Sequence, residues 1–239
     1  MFPVRHVAAL AALLLAAHTR ADAQLPSVQQ VYDNYATAVG GRDAWAKVTH
    51  RAEQGTANIT FANITGSYNR YNSAPNKVRM IIDLGVGRVE QGSDGTTMWR
   101  AQPDGSVSRV GGAEAIDGAE ANAVRAAFLD PSRFTNVAVV AQEVFDGVSC
   151  YKVAITTKGG HERYDFFEVA TGLRRGQRVK WPDGLLTNIY RDYKAFDGKL
   201  MATVQIQGTA QGDVVLTINS VTFTPNDPKL FELPAGIAK

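Results

Sequence analysis

Few side chains in these 239 residues have the types and spacing that catalysis or metal binding requires. Of four histidines, His6 and His18 fall in an N-terminal leader, which leaves His50 and His161. No histidine pair has metal-ligand spacing and no second cysteine joins Cys150 to help, so no metal site is marked and an intrachain disulfide is excluded. Cys150 lies between Ser149 and Tyr151 in an apparent strand, where a buried inert thiol is expected rather than a nucleophile. Asp165 and Glu168 are close in sequence, but alternation sends them to opposite faces of a strand, a poor acid/base arrangement. His50 is expected to close a helical turn and His161 to be solvated at a hairpin tip. Gly85-Val86-Gly87 reads as a hairpin turn, and neither a nucleophile elbow nor a P-loop is present. No catalytic residue, metal site or cofactor is assigned. A hydrolase would require a polar cluster inside the fold.

Binding is the chemistry that the remaining pattern supports. Between Pro75 and Arg100, Val78, Met80 and Ile82 alternate with Lys77, Arg79 and Asp83, the period of two of a half-buried strand. Val89 continues the same face after the Gly85–Gly87 turn. Ile59 and Phe61, in a strand running from Ala57, are expected on that side too, so six residues form one apolar wall. Tyr68 and Arg70 share a face on the returning strand Ser67–Ser73, and Phe128 lies on the apolar stripe of a mid-chain helix. These nine residues are the candidate ligand contacts.

The elements that must position them follow from periodicity. Val28, Val31, Tyr32, Tyr35 and Val39 recur at helical spacing, so 25–39 reads as an amphipathic helix ended by Gly40-Gly41. A short turn covers Arg42–Lys47. The Ala- and Glu-rich run from Gly111 to Leu129 reads as a helix that Gly118 weakens and Asp130-Pro131 stops. The rest alternates as strands, with Asp94-Gly95, Asp146-Gly147, Thr171-Gly172 and Asp197-Gly198 among the hairpin turns. Twelve or thirteen strands predict one large antiparallel sheet, curled into a barrel or part of one. Leu230, Phe231 and Leu233 are expected to plug one end.

Residues 1–23 read as a secretory signal peptide: Arg5, an apolar run from Val7 to Ala17, and Ala21-Asp22-Ala23 before Gln24. An uncleaved anchor is the alternative. No cysteine follows the cleavage site, so a lipid anchor is not expected and the product is a soluble periplasmic protein. Beyond the leader there are 23 basic and 22 acidic residues, a balance that points away from nucleic acid.

Several spaced segments then come together. They are the helix ending in Gly40-Gly41, a strand from Gln54-Gly55-Thr56, PNKVRMIID, Gly92-Ser93-Asp94-Gly95 with Trp99-Arg100, Phe145-Asp146-Gly147 before CYKVAITT, FFEVATGL, and the closing LFELP. In this order they resemble the bacterial outer-membrane lipoprotein-sorting proteins, the LolA/LolB-like superfamily. The resemblance implies a mainly β fold with helices, an incomplete antiparallel β-barrel of about 11–13 strands covered by a helical lid, with 24–239 as a single half-barrel domain. It implies a non-enzymatic carrier or binding protein for lipid or lipoprotein acyl chains held in an apolar cavity, working with an inner- or outer-membrane transport partner. An envelope sensor built on the same half-barrel is the alternative. The family locks its lid with an arginine; Arg70, which shares a face with Tyr68, fits that role better than Arg79.

Overall fold

The computed structural model describes residues 24–125, 128, 131–181 and 184–237. The expected leader, and Ala127, Leu129 and Asp130 at the end of the expected mid-chain helix, lie outside the described residues.

The first helix, α1 (Val28–Ala38), begins at a capping box: the Ser27 hydroxyl accepts from the Gln30 amide while the Gln30 side chain accepts from the Ser27 amide. It ends at Gly40, whose φ of 106° is left-handed and whose missing Cβ would stand 2.5 Å from the Gly198 carbonyl oxygen. That close approach lets the Leu200 amide donate to the Val39 carbonyl, which ties the helix end to the sheet. A short helix, α2 (Arg42–Ala46), follows and buries Trp45.

Thirteen strands form a single antiparallel sheet. They are β1 (His50–Ile59), β2 (Ile64–Ser73), β3 (Lys77–Asp83), β4 (Arg88–Ser93), β5 (Met98–Ala101), β6 (Val107–Val110), β7 (Asn136–Phe145), β8 (Val148–Thr156), β9 (Glu162–Glu168), β10 (Arg174–Trp181), β11 (Gly184–Phe196), β12 (Lys199–Thr209) and β13 (Gly212–Thr222). Hairpins join neighbours in two meanders, and β1 pairs with β13 to weld them into one sheet. The sheet does not close: β6 and β7 are its two edges. The barrel is therefore incomplete, as the resemblance implies.

The chain between those edges carries α3 (Gly112–Ala121), which bridges the gap. Glu114 accepts from Arg100 of β5 at 2.5 Å. One turn on, Asp117 accepts from Thr157 Oγ1 and the Gly159 amide, both at 2.8 Å, in the β8–β9 hairpin. Gly118 does not split the helix; a Cβ there would lie 2.4 Å from Met98 Sδ, so glycine lets α3 sit down on β5. The helix is shorter than the expected run to Leu129. It stops because the Asn122 carbonyl accepts from Asn72 and the Asn122 side chain from Arg70, bonds to the sheet that replace further helical turns.

Helices α1 and α3 lie on the same, inner face. There α1 packs Val31, Tyr32 and Ala36 against Val153 and Ile155 of β8 and Phe167 of β9, with Val124, Phe128 and Phe134 completing the core. The outer face has its own packing: Phe145 stacks on Phe166 at 4.0 Å beside Cys150, and Arg79 pairs with Glu90 above Trp99. Phe231 is buried in a one-turn helix (Pro228–Phe231) that packs against β3, while Leu230 and Leu233 stay partly exposed. Among the described residues no helix is long and apolar enough to cross a membrane.

Candidate ligand-binding site

Between the inner face of the sheet and the chain that follows α3 lies a cavity of about 260 Å³. Strand alternation builds its walls. In β1, Arg51 and Glu53 share the parity of buried Ala57; in β9, Arg163 and Asp165 share that of Phe167. Arg70 of β2, Arg174 of β10, Tyr190 and Tyr193 of β11, and Leu200 to Ala202 of β12 add the remaining floor. Tyr32, Tyr35 and Trp45 descend from α1 and α2, and Glu120, Val124, Arg125, Phe128 and Arg133 form the roof.

The polar groups are knitted in pairs. Asp165, 3 % exposed, is 2.6 Å from Arg174 Nη2 and 3.1 Å from Arg163 Nε. Glu53 is 2.8 Å from Arg51 Nε and accepts a 3.2 Å hydrogen bond from the Tyr68 hydroxyl. Arg70 donates from Nη2 to Asn122 at 3.0 Å and from Nε to Asn72 at 3.1 Å. The Arg133 guanidinium donates to the Glu120 carbonyl. Burial pushes the Glu120 carboxyl above its ordinary range, with Arg163 and Arg133 opposing it. Burial, reinforced by nearby carboxylates, raises the Tyr32 and Tyr68 phenols, which stay neutral donors. No serine, threonine, cysteine or histidine is among the described lining residues, and the carboxylates are engaged by arginines. The arginine–carboxylate pairs and phenols equip the cluster to hold polar groups. Among the described residues no group of three or more His, Cys, Asp or Glu could hold a metal ion. Cys150 is buried on the outer face, its thiol pushed up to about 11 by burial and then by Glu168.

Of the nine candidate contacts, Arg70 and Phe128 line this cavity. Tyr68 is buried beside it and touches it through Glu53. Met80, Ile82 and Val89 pack with Ala57, Tyr68 and Ile218 in a separate apolar cluster on the same face. Val78, 1 % exposed, lies on that face opposite Asn72, and Ile59 ends β1 outside both groups. Phe61 departs from the expected wall. The strand stops at Ile59, where Thr60 exchanges hydrogen bonds with the Asp213 backbone at 2.8 and 3.0 Å, so Phe61 enters a one-turn helix and is 51 % exposed. His50 opens β1 and bonds to Ser73, and His161, far from solvated, bonds through Nδ1 to Asp117 at 2.5 Å.

The sequence pattern did not single out Arg51, Glu53, Arg163 or Arg174. Parity with Ala57 and Phe167 marks the first three as inward-facing; for Arg174, a register shift between Arg174 and Gly176 hides the signal.

A second cavity of about 630 Å³ opens between α3 and the β2–β3 turn, lined by Ala74, Pro75, Asn76, Ile116, Ala119 and Lys158. It shares Glu120, Ala123, Arg125 and Arg133 with the first, so those residues form the partition.

No family model and no curated protein matches the sequence. Solved structures do. A DUF1329 family protein from Desulfovibrio piger superposes with a TM-score of 0.57 at 14% identity, over 86% of this chain and 97% of that one. A LolA superfamily protein from Nitrosomonas europaea gives 0.56 at 14% identity, over 87% and 99%. An outer membrane lipoprotein-sorting protein domain from Vibrio parahaemolyticus gives 0.53 at 12% identity, over 82% and 91%. With an open antiparallel sheet, a bridging helix and these neighbours, the chain has a LolA-like fold.

Proposed function

We propose that this chain is an exported, non-enzymatic binding protein that carries a lipid-like ligand in the periplasm. On this reading residues 1–23 are removed and 24–239 work as one half-barrel domain that receives its ligand from, or passes it to, a membrane partner. One observation carries it: a lid is fastened by discrete polar bonds over a cavity between sheet and helices. Arg70 and Asn72 hold Asn122 at the end of α3, and Asp117 holds the helix to the opposite hairpin. A roof packed only by apolar contact would be core; one fastened at its ends by exchangeable hydrogen bonds can open and close.

Binding of a fluorescent fatty-acyl probe to the mature chain is the test. Arg70→Leu leaves the Asn122 amide oxygen without its Arg70 donor, while Asn72 keeps Arg51, at a cost of about 1–3 kcal/mol. It is expected to speed hydrogen exchange in 112–125 and to raise the rate of probe uptake. A wild-type protein that takes up no acyl probe, or a lid indifferent to Arg70→Leu, would overturn the reading.

A further inference from the structure

Charge inside the cavity does not balance: among the described residues, four arginines that the sheet sets into it, Arg51, Arg70, Arg163 and Arg174, face three carboxylates, Glu53, Glu120 and Asp165. Arg70, part-buried, spends its hydrogen bonds on the neutral amides of Asn72 and Asn122. Arg174 Nε and the Tyr32 hydroxyl are buried and have no hydrogen-bond partner among the described residues. A buried donor that meets no acceptor is costly, and an excess of enclosed positive charge is costlier, unless an anion completes the site. Guanidinium forks suit the paired oxygens of a carboxylate or phosphate, and phenol donors add to them. Beyond the partition, the larger cavity presents Ala74, Pro75, Ile116 and Ala119, an apolar surface for a chain.

We infer that the ligand is an anionic amphiphile whose carboxylate or phosphate head enters the arginine cavity while its chain lies along the outer cavity under α3. This rests on the carrier reading and narrows its ligand class. The Glu120 carboxyl, raised by burial, is the group that a bound anion would keep protonated and uncharged.

Calorimetric titration of the mature chain with decyl phosphate, decanoate, 1-decanol and inorganic phosphate tests it. The two decyl anions are expected to bind at least about tenfold tighter than decanol, about 1.4 kcal/mol, and the stronger of them identifies the head. Arg174→Gln should shrink that preference about threefold or more while leaving decanol affinity unchanged. Arg125 is exposed at the rim, so Arg125→Gln keeps the test open if the buried change prevents folding. Decanol binding as tightly as the anions would overturn the inference and leave the carrier reading intact. Inorganic phosphate binding as tightly as decyl phosphate would keep the anion site and overturn the carrier reading. Binding of none would overturn both.

Discussion

Two surfaces share the inner face of the sheet and behave oppositely. Around Ile82, the side chains of Ala57, Tyr68 and Ile218, with Met80 and Val89 beside them, pack on one another. A few residues away along the same strands, Glu53 and Arg70 begin a charged floor that leaves a space unfilled. The alternation that faces them inward is identical; the side-chain chemistry is not. Aliphatic groups close on each other because contact and dehydration both favour it. Guanidinium groups repel, need several acceptors each, and are propped apart by their ion pairs. In this fold, charge holds a cavity open where apolar residues would collapse it. Tyr68 joins the two, its ring in the apolar cluster and its hydroxyl on Glu53.

That contrast can be broken most forcefully at Asp165. Asp165→Asn leaves Arg174 buried without its carboxylate and Arg163 with Glu120 alone, and is expected to cost about 3–5 kcal/mol in urea unfolding. Decyl phosphate should restore a larger share of stability to the variant than to the wild type. A loss below about 1 kcal/mol would mean that water already screens these charges. At the apolar surface, Ile82→Ala is expected to cost about 2–5 kcal/mol, the range for a packed core site. A near-zero cost would make the cluster a loose ligand wall instead.

The smallest effect separates the cavity from the outer face through pH. Glu120 is raised by burial, so its stabilising contribution is present below the unfolded carboxyl pKa and is lost as pH rises through the folded value. Glu120→Gln should therefore gain on the wild type as pH rises through that window. Asp146, on the Phe145-Asp146-Gly147 turn, is opposed by burial, but hydrogen bonds from Arg191 and Arg175 bring it below its ordinary value. Its contribution is present above the unfolded pKa and is lost as pH falls through the folded one, so Asp146→Asn should be weaker than wild type at neutral pH and match it in acid. Thermal melts across the acid range read both slopes. Parallel slopes would remove the electrostatic distinction between the two faces.

Local pattern alone was enough for much of the architecture. Val78, Met80 and Ile82 against Arg79 declare the two faces of β3, hairpin turns mark the ends of most strands, and helical spacing with Gly40-Gly41 bounds α1. These features depend on neighbours within a few residues, where backbone geometry sets the period. The position of the lid's end, the fate of Phe61 and the character of the cavity depended on partners far along the chain. Arg70 meets Asn122 and Arg163 meets Glu120 only because the sheet stays open and α3 crosses its gap. Alternation says which side a residue faces, but not what covers that side, and a charge can be buried there only once its distant partners have been brought to it.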